Sequence, residues 1–460
     1  MQKVHTYLKK EYPRFLEELK GYLSFPSVSA QGNKKEIQKC AQWLLAHCRG
    51  IGLSATLHKT DGNPVLVATT RIGAAMRTEK KPHFIVYGHY DVQPPEPLEL
   101  WKTPPFVPTI RAGKLFARGA SDNKGQHFAH LKAVEAYFKT KTLLPCDISF
   151  VIEGEEEVGS ANLALFLRKN KKILTADGVI ISDTTMPALN TPAITYALRG
   201  IAALEITLRG ADRDVHSGSY GGSIENPAMA LSHLLATLRD KKTGRILVRG
   251  FYDGVSTLTK AERKVLHSEP ENDPAYYRDF LKVPCLFGEK GFSHIEQTTI
   301  RPTMEINGLA SGYQGVGSKT IVPASAHAKL TMRLVPHQKP SAVIATVRRH
   351  LIAHCPKSVT LEIKRGHGTE PYLFEPTSNA ARAATRAIER VFGASPRFIR
   401  EGGSIPVVTD FKKILGLDCL LIGLALPDDN AHSPNEKFEL ANFKRGMTLG
   451  AELWQELSEI

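Results

Sequence analysis

A chain of 460 residues with 42% hydrophobic and 23% charged positions has the composition of a soluble globular protein, long enough for more than one domain. Its formal charge of +14 comes from basic pairs such as Lys34-Lys35, Lys80-Lys81, Lys241-Lys242 and Arg348-Arg349, with no long basic run and no stripe interleaved with aromatics. That argues against a nucleic-acid interface and for a dispersed, solvated surface that would also attract anionic substrates.

The N-terminal stretch MQKVHTYLKKEYPRFLEELKGYL has the apolar spacing of an amphipathic helix, not the continuous apolar core of a signal peptide. Cys40, Cys48, Cys146, Cys285, Cys355 and Cys419 form no C-x-x-C, so thiolate zinc sites and redox pairs are not expected. No apolar stretch reaches membrane-spanning length. A cytoplasmic protein with reduced cysteines and no membrane partner is predicted.

Further along, HFIVYG, DISFVIEG and DGVIISD read as short buried strands, with helical patterns at KGQHFAHLKAVEAYFKT and SANLALFLRKN between them. This alternation predicts an α/β domain with a mostly parallel sheet and helices on both faces. Near residue 197 the pattern changes. RGIAALEITLRG and HAKLTMRLVPHQ alternate as half-exposed strands do, with helices at NPAMALSHLLATLRD and PSAVIATVRRHLIAH. The buried-strand pattern returns at DCLLIGLAL. The predicted organisation is a first domain over 1–196 and 373–460, with an α+β domain inserted over 197–372.

Open α/β sheets bind ligands beyond the carboxyl ends of their strands. There this sequence carries His89 and Asp91, then Glu153, Glu155, Glu156 and Glu157, then Asp183, and finally His432. Asp122 stands just ahead of a helix. Two histidines with several carboxylates and no cysteine suit a catalytic zinc, manganese or cobalt site. Asp91, two positions beyond His89 on an extended segment, would point the same way and orient its imidazole. Taken singly, each residue has a plainer reading: Asp122 as a helix cap, Asp183 as a turn residue, His432 as solvated, the glutamates as a helix start. Their joint placement is what favours a metal centre.

The stretches GHYDVQPPEP, LFARGASDNKG, EGEEEVGS, ISD, DVHSGSYGG, GHGTEP, REGGSIPV and AHSPNEKF follow one another in an order that resembles a known family. It is that of the co-catalytic metallopeptidases, which includes carnosinase-like dipeptidases, glutamate carboxypeptidase, aminoacylase and succinyl-diaminopimelate desuccinylase. The resemblance runs from about residue 20 to the C-terminus. It implies a catalytic domain with two divalent metal ions per subunit, zinc with manganese or cobalt as alternatives, and an inserted lid that forms a homodimer. It implies His89, Asp122 and Asp183 on one metal and Asp122, Glu157 and His432 on the other, with a cis peptide after Asp122. The family pattern E-G-x-E-E-x-G-S makes Glu156 the general base, Glu157 the ligand and Glu155 the variable position. For the substrate it implies His216, reaching the partner subunit's site, with Arg333, His367 and Ser404.

Tyr90 and Gln93 resemble the dipeptidase branch. The expected function is hydrolysis of the peptide bond of dipeptides by a metal-activated water with a glutamate base. An N-acyl-amino-acid amidohydrolase on the same chemistry, or an inactive binding protein that retains the fold, are the alternatives. For His216 alone, capping a turn is the plainer reading.

Overall fold

The computed structural model describes residues 1–71, 81–267 and 273–460; Lys80, part of one basic pair, lies outside them. The chain divides into two compact units. The first comprises Met1–Tyr196, Phe374–Ile399 and Pro406–Ile460, the second Ala197–Leu373 and Arg400–Ile405.

In the first unit the sheet runs in the order Ser54–His58, Val65–Thr69, Asp147–Glu153, His83–His89, Gly178–Ile181, Cys419–Leu421. The last four of these strands are mutually parallel, the first two join antiparallel at one edge, and the nine-stranded sheet continues beyond Cys419–Leu421 with the antiparallel strand Ala193–Leu198. Every residue of His83–His89 and of Asp147–Glu153 is buried. Continuous apolar runs are what a parallel strand needs when both of its faces are covered. DCLLIGLAL is a strand only over Cys419–Leu421. Beyond it the chain presses against Thr184, where a Cβ on Gly423 would lie 2.0 Å from the Thr184 carbonyl oxygen. Only glycine fits there.

The helix Lys124–Lys139 is buried on all sides from Lys124 to Tyr137. It packs on strand His83–His89 and against the helices Gln2–Leu23 and Leu440–Leu457. Of its buried lysines, Lys124 donates to the main-chain oxygens of Tyr22 and Phe25, while Lys132 is ion-paired: its Nζ lies 2.5 Å from Glu18, 2.8 Å from Glu135 and 2.7 Å from His47 Nε2. Burial and the Lys132 charge depress the His47 pKa to about 3, so its neutral imidazole accepts from the ammonium. No helix among the described residues is long and apolar enough to cross a membrane.

The second unit carries an antiparallel sheet in the order Thr303–Ser311, Ser325–Leu334, Gly200–Arg209, Thr360–Thr369. Period-2 alternation turns Ala202, Leu204, Ile206 and Leu208, with Ala326, Ala328, Leu330 and Met332, onto one apolar core. Helices Pro227–Ala236 and Pro340–His354 supply the other side of that core. Residues 400–405 fall in the first domain by sequence but group with this unit. The reason is a long-range tie: Arg199 N donates to the carbonyls of Glu401 and Gly403, and its Nε donates to Gly402 O.

Candidate metal centre

The first unit's strand ends bring six of the predicted side chains into one cluster. His89 ends its strand, and Asp183 follows Gly178–Ile181 by two positions. Glu156 and Glu157 open the 3-10 turn Glu156–Val158 after Asp147–Glu153. Ligating atoms of His89, Asp122 and Asp183 lie within 4.8 Å of one another, as do those of Asp122, Glu157 and His432. Asp122 belongs to both groups. Its Oδ1 is 3.2 Å from His89 Nε2 and its Oδ2 is 2.7 Å from His432 Nε2. Asp183 Oδ2 is 3.7 Å from His89 Nε2, and Glu157 Oε2 is 3.4 Å from His432 Nε2. Asp122 does not cap the following helix: Asn123 holds that position, without a side-chain cap. The Asp122–Asn123 peptide is cis, as the resemblance implies.

His89 Nδ1 lies 3.0 Å from the main-chain oxygen of Asp91, which can only accept, so Nδ1 carries the proton. Nε2 is therefore the nitrogen left facing the carboxylates of Asp122 and Asp183. Nε2 is buried and makes no hydrogen bond. An orphaned imidazole nitrogen among carboxylates suits a divalent cation, and so does the all-nitrogen-and-oxygen donor set. The third group of possible ligands, Glu18, His47 and Glu135, already holds the Lys132 ammonium at its centre.

The four glutamates separate by environment. Glu153 is buried and accepts from Tyr87 OH at 2.8 Å and Ser160 OH at 2.7 Å; burial pushes its carboxyl up to about 8. Glu155 turns to the neighbouring loop, accepting from Asn63 N at 3.0 Å and Asn162 Nδ2 at 2.8 Å. Glu157 Oε2 accepts from Gln93 Nε2 at 2.8 Å. Asp91 has a wider part than the sequence indicates. Its carboxylate lies 3.5 Å from His89 Nδ1, and it accepts the amide N–H of Glu156 at 3.3 Å and of Glu157 at 3.2 Å. One buried side chain thus serves both the imidazole and the glutamate turn.

Titration shifts trace the crowding of negative charge. Burial raises Glu156 to about 7; the His89 charge opposes this and Glu157 adds to it. Burial and the Asp122 charge raise Glu157, and burial holds Asp183 well above the carboxylate range. Asp122 alone is lowered: burial works against it, but His432 and His89 prevail. The partnership with Asp122, then with Glu157, raises His432 to about 10. Added positive charge at this point would lower every one of these carboxylates.

The predicted substrate residues lie in the second unit. Arg333 Nη1 donates to Ser404 Oγ at 2.9 Å, and Ser404 in turn donates to Arg199 O. His216 is exposed, and its Nδ1 accepts from Gly218 N at 3.0 Å, the plainer capping role the sequence allows. His367 is exposed on strand Thr360–Thr369, where the pairing register shifts between Arg365 and Gly368. Sequence reasoning passed over the buried ion pair Arg118–Glu436 at 2.8 Å, and Asn123, whose Oδ1 accepts from His89 N at 3.2 Å. A signal was present: Arg118 and Glu436 stand inside LFARGASDNKG and AHSPNEKF.

A family profile described as peptidase family M20/M25/M40 matches residues 85–456. The human Beta-Ala-His dipeptidase is 32% identical, over 100% of this chain and 93% of its own length. A Cys-Gly metallodipeptidase of Schizosaccharomyces pombe is 30% identical, over 100% of this chain and 99% of its own. Among solved structures, human carnosine dipeptidase 1 superposes with a TM-score of 0.84 at 32% identity, covering 100% of this chain and 99% of that one. An M20 family metallo-carboxypeptidase from Sulfolobus solfataricus does so with a TM-score of 0.86 at 33% identity, covering 97% and 99%.

Proposed function

The chain belongs to peptidase family M20/M25/M40, and from that premise we propose that it is a metal-dependent dipeptidase acting on dipeptides with a free C-terminus. The observation that carries this reading is the pair of ligand groups sharing Asp122, with Glu156 beside them and outside both. Full-length similarity to proteins named Cys-Gly and Beta-Ala-His dipeptidases supports the substrate class. So does Gln93, a dipeptidase-branch residue that donates to Glu157.

His89, Asp122 and Asp183 would hold one divalent cation, and Asp122, Glu157 and His432 a second. Zinc is proposed, with manganese or cobalt as alternatives. When bound, such a pair supplies a water of lowered pKa and a Lewis acid for the scissile carbonyl. Glu156 takes the proton of the attacking water and delivers it to the departing amine. It can do both because it is not itself a ligand, and because the amide clamp from Asp91 fixes its turn. Asp91 also steadies the His89 tautomer through its main-chain oxygen.

Arg333, steadied by Ser404, is proposed to pair with the substrate carboxylate, with the 401–404 amides nearby in sequence. His216 is proposed to donate to the tetrahedral oxyanion in a partner subunit's site, and His367 to line the pocket. The homodimer is proposed through the second unit, where strand Thr303–Ser311 is an edge of the sheet with Ile306 50% and Leu309 60% exposed. Six free thiols suit the cytoplasm.

The test is a panel of dipeptides, tripeptides and N-acyl amino acids assayed with zinc, manganese or cobalt. Cleavage confined to N-acyl amino acids would replace the dipeptidase reading with an amidohydrolase. No turnover on any of them would leave a binding protein.

A further inference from the structure

Glu436 makes four hydrogen bonds that the proposed reaction does not use. Its Oε2 accepts from Arg118 Nη1 at 2.8 Å and Gly119 N at 2.9 Å, and its Oε1 accepts from Ser121 N at 2.9 Å and Asp122 N at 3.0 Å. Its main-chain oxygen accepts from Ala117 N at 3.1 Å. One side chain therefore holds the whole turn that ends in Asp122, and it stands four residues beyond His432 on another segment. The two segments are 314 positions apart in the chain. Ser121 adds a second tie, donating to Asp429 Oδ2 at 2.8 Å; Asp429 is fixed by Leu426 N at 2.8 Å and Lys437 Nζ at 2.6 Å.

Glu436 and Arg118 are 0% and 1% exposed. A buried ion pair is a poor stabiliser, because desolvation offsets most of the attraction and an apolar pair often serves as well. What four converging hydrogen bonds do supply is position. Asp122 must present one oxygen towards His89 and the other towards His432, at 3.2 and 2.7 Å. A small shift of its main chain would spoil both.

We propose that Glu436, paired with Arg118 and assisted by Ser121–Asp429, is a positioning residue of the metal centre, locking the Asp122 turn to the His432 loop so that both ligand groups keep their geometry. The inference rests on Asp122 and His432 being ligands. Like other outer partners of metal sites, it acts through the ligands it holds.

The test uses the full chain, with zinc affinity measured by competition with a chromophoric chelator and geometry read from the visible spectrum of the cobalt(II) form. Glu436→Gln keeps the size but can accept only part of the four N–H groups. It is expected to bind zinc about 10- to 100-fold more weakly, with an altered cobalt spectrum. Ser121→Ala removes one hydroxyl, is expected to fold, and should weaken zinc in the same direction by less. Lys132→Met breaks a buried ion network in the same unit and is expected to lower Tm without changing zinc affinity.

A folded Glu436→Gln protein with unchanged affinity and spectrum would overturn the proposal, as would Lys132→Met weakening zinc equally. Should Glu436→Gln not fold, unchanged affinity in Ser121→Ala overturns it. Asp122→Ala separates the two levels. If that variant keeps both metals, the reading of the centre fails; if it loses metal while the Glu436 and Ser121 variants do not, only the positioning role fails.

Discussion

The two units hold their polar side chains in opposite ways. At the strand ends of the first unit, His89 and Asp91 are fully buried, and the carboxylates of Asp91, Glu153 and Glu157 accept from amides or hydroxyls. In the second unit His216 and His367 are exposed, and Arg333 is tied to its surroundings through Ser404. The difference follows from the sheets. A parallel sheet covered on both faces ends in a buried crevice where low dielectric makes each unmet charge costly, so the groups there are preorganised. An antiparallel sheet with one wet face leaves side chains solvated and free to reorganise. The proposed metal ligands all lie in the first unit and the proposed substrate residues all lie in the second.

Four substitutions sharpen or break that contrast, the largest effect first. Glu156→Ala is expected to lower kcat by about 100- to 10,000-fold with both metals retained, since it removes proton transfer and not a ligand. Near-normal kcat would take the base away from Glu156. Glu157→Ala is expected to lose metal, read by elemental analysis; full retention would put the ligand elsewhere. In the second unit, Arg333→Met is expected to raise KM for dipeptides more than it lowers kcat, with metal content unchanged. Loss of metal there would erase the division between the units. His216→Ala mixed with Glu157→Ala is expected to regain activity in mixed dimers, and no recovery would argue against a shared site.

The smallest expected effect is one of pH. Burial raises Glu153 from the usual 4.5 to about 8 in the fold. Its contribution to stability is therefore complete below about pH 4.5 and is lost as pH rises through about 8. Glu153→Gln should flatten that part of the Tm-against-pH curve relative to the parent, with metal content intact. An unchanged difference curve would mean that Glu153 is ionised in the fold.

Much of this was legible in advance. HFIVYG, DISFVIEG and DGVIISD become buried parallel strands because runs of Val, Ile and Phe can be satisfied only between two covered faces. RGIAALEITLRG becomes a half-exposed strand because its alternation has period 2. The candidate ligands could be named because strand ends and ordered motifs point to them. Other features were not legible. DCLLIGLAL reads as one strand but stops at Leu421, where Thr184 crowds Gly423. Residues 400–405 look like part of the first domain until Arg199 claims their carbonyls. Both depend on contacts with residues far away in the chain.

The same division runs through EGEEEVGS. The chain alone placed four glutamates at a strand end, and the resemblance to the family pattern, aligned on the flanking glycines, implied their register. Only the tertiary structure decided what each one faces: Tyr87 and Ser160 for Glu153, Asn63 and Asn162 for Glu155, and the Asp91 amide clamp for Glu156 and Glu157. Periodicity and spacing encode which residues are buried, because burial is a property of a face. Hydrogen bonds are directional and join single atoms from distant segments, and their partners exist only once the strands are in register.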